Sequence, residues 1–126
     1  MGKIIIDEAF WDVFPGAQLN VLVITNIQNH CSKEKQAYFA ELLKDASNEA
    51  KQYLTNKTFS QNTVIDEWRK AFSQFKTKKG ARSSIEALLK RVNQDRAFTP
   101  INPLVDIYNS ISLKYAVPCG GEDLQL

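Results

Sequence analysis

Apolar residues change their spacing along this chain, and the changes mark out the elements it should form. Ile4, Ile5 and Ile6 form a β-branched run too short for a helix, which predicts a strand over Lys3 to Asp7. Pro15-Gly16 signals a turn. Gln18 to Ile27 then carries Val21, Leu22, Val23, Ile24 and Thr25 in sequence, the pattern of a strand covered on both faces. From about Ser32 to Leu54 the spacing becomes helical. Phe39, Leu42, Leu43, Ala46, Ala50, Tyr53 and Leu54 fall on one stripe, with Ser32 placed to cap its start.

Three more helices follow from the same period. One should run from Val64 to about Phe75 with Ile65, Trp68, Ala71, Phe72 and Phe75 on one face, capped by Thr63 with Asp66 as its box partner. Lys76 to Gly80 interrupts as a basic loop. The next helix starts at Ser83, with Glu86 completing a capping box and Ile85, Leu88, Leu89 and Val92 facing inward. The last begins at Asn102 with Pro103 in its first turn, where a missing N–H is tolerated. Its expected apolar stripe is Leu104, Tyr108, Ile111 and Tyr115, and Pro118 lies just past its end. The expected fold is therefore α+β, a small sheet packed by about four helices in a single domain over residues 1–126. Two strands alone make a marginal sheet, so further strands are expected beyond Leu126 or from a partner, a homodimer included.

Composition narrows the class. No apolar run reaches the ~20 residues that cross a bilayer, and the MGKIIID start lacks the features of a signal peptide. Cys31 and Cys119 stand far apart and form no CxxC pair, which favours a reduced, cytoplasmic protein. With one histidine, His30, any metal site would have to be built around it alone, and the necessary cluster is absent from the sequence pattern, so no metal or cofactor is expected. The formal net charge of +2 hides a polarised chain. Nine basic and two acidic residues between Arg69 and Arg96 give that stretch +7. Such a stretch suits a polyanion, or forms an ordinary solvated surface.

The run Ile101-Asn102-Pro103-Leu104-Val105-Asp106-Ile107-Tyr108-Asn109, followed by Ser112-Leu113, Pro118 and Asp123, resembles the editing module of phenylalanyl-tRNA synthetase beta subunits. Trp68-Arg69-Lys70-Ala71-Phe72 and the stretch from Ser83 to Val92 are similar to stand-alone B-three/four domain proteins of that superfamily. The resemblance runs from about Phe14 onward. It implies an α+β domain that binds the aminoacyl end of mischarged tRNA and, when active, hydrolyses the ester as an aminoacyl-tRNA deacylase. Synthetase versions often carry Thr where Tyr108 aligns and His where Gly120 aligns, and both are changed here. The family domain also continues through strands and an acidic residue that this sequence does not contain. The chain is then expected to be an amino-terminal part of that domain or a shortened homologue.

These observations nominate two sets of residues. Asp106 and Asn109, three apart on a helix, can face one site, and Ser110 joins them. Either they orient an aminoacyl or ribose group, or they satisfy backbone groups of a neighbouring loop. Gly120 and Gly121 can expose backbone N–H groups to an anion or can form a plain turn. The resemblance places Tyr108 in the same pocket. Lys76, Lys78, Lys79 and Arg82 are the candidates to meet phosphates, with tRNA as the partner. A module that holds an amino acid or another aminoacyl-like small molecule without catalysis is the alternative.

Overall fold

The protein is described by a computed structural model covering residues 3–125. Its elements are α1 (Glu8–Val13), α2 (Lys33–Ala50), α3 (Thr63–Phe72), α4 (Ser84–Asn93) and α5 (Pro103–Tyr115), with short 3-10 turns at Lys51–Tyr53 and Phe59–Gln61. Among the described residues there is no strand, so the expected α+β fold with its small sheet is corrected to an all-helical one. The cause is visible in the backbone. No backbone–backbone hydrogen bond joins any of residues 18–31 to another described residue, and the same holds for residues 3–6. Extended chain becomes a strand only when a ladder satisfies its N–H and C=O groups, and the two expected strands do not pair. Asn26, at φ 57°, also interrupts the extended run.

The helices form where their spacing indicated, with local adjustments. Ser32 caps α2 by accepting from the Lys35 N–H, and Ser83 caps α4 by accepting from the Glu86 N–H. Thr63 is not the cap of α3. It is the first helical residue, Asn62 takes the cap position, and the Asn62 side chain instead accepts from the Asn56 N–H at 2.9 Å. Helix α3 stops at Phe72, short of Phe75. Helix α1, around Phe10 and Trp11, was not foreseen.

The core is one cluster of Ala46, Ala50, Ile65, Ile85, Leu89, Val92 and Leu113, with Trp68, Leu88, Phe98 and Tyr53 packed on its margin. Helix α5 lies along α2. Its buried face is Asp106, Ser110, Ser112 and Leu113, whereas Ile111 and Tyr115 of the expected apolar stripe are exposed. That expectation is also corrected. Helix α2 presents Ala46 and Ala50 to the core, and the α5 serines are buried beside Leu113. Their hydroxyls are satisfied locally: Ser110 donates to the Ile107 carbonyl at 2.6 Å and Ser112 to the Val117 carbonyl. The helix ends at Ala116 in the left-handed region, φ 55°, a position usually given to glycine.

Candidate functional site

The start of α5 is closed by side chains. Pro103 has no N–H, the Leu104 N–H donates to Asn29 Oδ1 at 2.9 Å, and the Val105 N–H donates to Asn102 Oδ1 at 2.9 Å. The Asp106 N–H begins the helical ladder on the Asn102 carbonyl. The orphan donors that make a helix start attractive to anions are thus already occupied. Asn29 supplies one cap from 75 residues away and ties the amino-terminal segment to α5.

Asp106 is fully buried. Its Oδ1 accepts from the Ile101 N–H at 2.9 Å, and Oδ2 has no partner among the described residues. Two residues on, Tyr108 faces the other side of the helix, as a 200° rotation requires. There it meets the returning chain: a Cβ on Gly121 would lie 3.4 Å from Tyr108 Cε2 and 3.5 Å from Leu104 Cδ2. These are ordinary van der Waals distances, so packing alone does not demand glycine at 121. Neither Gly120 nor Gly121 has a positive φ, and Gly120 faces open space. The structure brings Tyr108 and Gly121 together and places Asp106 and Ser110 on the buried side, with Asn109 half-buried at the margin. Cys119 is half-buried near this turn, and burial pushes its thiol above the usual range, which weakens it as a nucleophile.

The basic stretch is arranged differently. The Ala81 N–H donates to the Lys78 carbonyl at 2.9 Å, and Gly80 adopts φ 83° in the third position of the turn, where a type II turn calls for glycine. This turn exposes Lys76, Lys78 and Lys79, none of which has a carboxylate within ion-pair distance among the described residues. Other cations are engaged. Lys70 pairs with Asp66 at 2.7 Å, and this hydrogen-bonded pairing raises its pKa. Arg91 donates to the Ala97 carbonyl at 2.7 Å and lies 4.8 Å over the Phe98 ring.

Sequence reasoning missed the pair that joins α3 to α4. Glu86 does not return to the Ser83 N–H as a capping box would. Its Oε1 accepts both Arg69 Nε at 2.8 Å and Arg69 Nη2 at 2.5 Å, and Arg82 Nε lies 3.6 Å from the same oxygen. Oε2 is buried without a partner among the described residues. The signal was available, because Glu86 lies three residues before Leu89 on an apolar stripe, where a charge requires a partner. A cavity of about 170 Å³ opens at this pair between Phe72, Ala81 and Arg82. A second cavity, about 500 Å³, lies elsewhere, between α2 and residues 92–98, and no nominated residue lines it.

Among the described residues, no cluster of His, Cys, Asp or Glu is placed to hold a metal ion, and no helix is long and apolar enough to cross a membrane. The fold and site define a small helical module with a cationic turn beside a guanidinium–carboxylate pair whose carboxylate is buried. Residues 67–126 match the B3/4 domain, the domain found in the phenylalanyl-tRNA synthetase beta subunit. This match starts later than the resemblance read from Phe14 onward. It takes in α4, α5, the cationic turn and most of α3. No curated protein and no solved structure matches the chain.

Proposed function

We propose that this chain is a tRNA-related binding domain that meets RNA phosphates through the turn at Lys76, Lys78, Lys79 and Arg82. The observation that carries the reading is the solvent-facing, carboxylate-free lysine turn within a B3/4 match. A solvated face could carry the same charge, but this one is held by a glycine-dependent turn rather than dispersed along a helix.

Editing is the finer reading, with Asp106, Tyr108, Asn109, Gly120 and Gly121 positioning an aminoacyl group. Two features argue for binding without hydrolysis. Asp106 Oδ1 accepts a backbone N–H and is buried away from Tyr108 and Gly121. The half-buried Cys119 thiol is held protonated. Holding a free amino acid remains the alternative for the Tyr108–Gly121 margin.

The test is tRNA binding followed by fluorescence anisotropy across a salt series. Four phosphate contacts predict that a fourfold rise in salt weakens binding by roughly 50- to 150-fold. Replacing Lys76, Lys78 and Lys79 by Glu should abolish binding while leaving the fold intact. Salt-independent binding, or no binding at any salt, would remove the reading. Misacylated tRNA added to the same protein should remain charged, and its deacylation would restore the editing assignment.

A further inference from the structure

The chain between α3 and α4 leaves and returns at one place. Phe72, the last residue of α3, and Arg82, two residues before α4, line the same small cavity. The loop between them carries Phe75, Lys76, Lys78 and Lys79. Helical spacing predicts Phe75 on the buried face of α3, but it lies beyond the end of that helix and is 38% exposed. Its ring stands 5.3 Å from that of Phe72 at 54°, so the two are tilted and not stacked face to face. Neither ring is packed against the core cluster. A lone exposed ring needs no explanation. Two adjoining rings off the core, in a loop that also carries three lysines, do.

We propose that the Phe75 ring, backed by Phe72, is a base-stacking platform, so that the RNA segment held by the lysine turn is single-stranded. The inference rests on the phosphate-binding reading above and deepens it by naming the form of RNA. An aromatic face beside cations matches an unpaired base beside its own phosphate: the base stacks and the cation meets the charge. In a duplex each base is already stacked between its neighbours, and a side chain reaches only edges, sugars and phosphates. Trp68 holds the platform from behind. Its ring meets that of Phe72 at 6.4 Å and 86° and packs against the core. An apolar protein surface would also cover Phe75. Lys76, Lys78 and Lys79, without carboxylate partners among the described residues, favour an anionic occupant.

The experiment measures binding of the intact chain to a short single-stranded RNA, to a strand of the same length with abasic units in place of its nucleotides, and to an RNA hairpin. The abasic strand keeps the phosphates and removes the rings, so it tests stacking without altering the protein. The RNA strand should bind roughly tenfold tighter than the abasic one, the size of one stacked base. Phe75→Leu keeps the apolar bulk and removes the aromatic face. Checked for folding by thermal melting, it should bring the RNA strand down to the abasic level and leave the abasic strand and the hairpin unchanged. Phe75→Trp should keep the preference and add a fluorescence signal that the RNA strand quenches and the abasic strand does not. Equal binding of the RNA and abasic strands to the unaltered protein would overturn the platform and leave the phosphate reading standing. Absence of binding by all three probes would overturn both. A preference for the RNA strand that survives in folded Phe75→Leu would also overturn it, placing the stacking contact elsewhere.

Discussion

Leu19 to Ile27 holds six large aliphatic side chains and α4 holds four, yet α4 buries Ile85, Leu89 and Val92 while the extended segment buries none. The difference does not lie in hydrophobicity. A helix satisfies its own backbone, so a single apolar stripe is enough to place α4 against α2, α3 and α5. An extended segment must find partners for its peptide groups and for both of its faces. Leu19–Ile27 has neither among the described residues, and the Asn29 side chain just beyond it accepts the Leu104 N–H of α5.

The contrast is broken most directly by trimming one leucine from each region. Leu89→Ala should cost about 2–5 kcal/mol in urea unfolding, because it empties a fully buried position. Leu22→Ala, at a residue 81% exposed, should change stability by no more than about 0.5 kcal/mol. Equal costs would show that the extended segment packs in solution. Arg69→Ala sharpens the picture on the helical side by leaving Glu86 buried without its main partner. A loss of about 2 kcal/mol is expected, below the range for a wholly buried pair because the Arg69 side chain is 40% exposed. No loss would mean that Arg82 replaces it.

Asn29→Ala tests the junction between the regions. It should cost about 1 kcal/mol and speed hydrogen exchange at the Leu104 amide, which would lose its side-chain acceptor. Unchanged exchange there would mean that the junction is not maintained. The smallest effect is expected at Cys119, past the end of α5. Its raised pKa keeps it a thiol at neutral pH, so alkylation should be slower than for an exposed cysteine and should accelerate steeply as pH rises. Fast alkylation at neutral pH would show that the turn opens.

Local features were legible in the sequence, and features that depend on a partner were not. Ser32, Ser83 and Asn102 accept the backbone N–H groups expected of caps, because a cap is decided within three residues. The face of α5 was misread because Leu104, Tyr108, Ile111 and Tyr115 outweigh Ser110 and Ser112 in any apolar count. The count of apolar residues does not see that the Ser110 and Ser112 hydroxyls bond to nearby carbonyls and so tolerate burial. The missing sheet has the same origin, since Val21 to Thr25 have strand chemistry whether or not a neighbour exists. At the candidate site, the lysine turn was legible from charge and Gly80. The Arg69–Glu86 pair spans 17 residues and follows from how α3 lies on α4.

From Val13 to Ser32 the chain carries no formally charged residue if His30 is neutral. Within that stretch, Leu19–Ile27 is rich in β-branched residues, free of proline and open to solvent. These are the properties of a segment that stacks with copies of itself into fibrils. Solubility at high concentration should therefore be governed by these nine residues and not by the stability of the helices. A single lysine at Val23 would raise the concentration at which the protein stays dispersed while leaving its melting temperature unchanged.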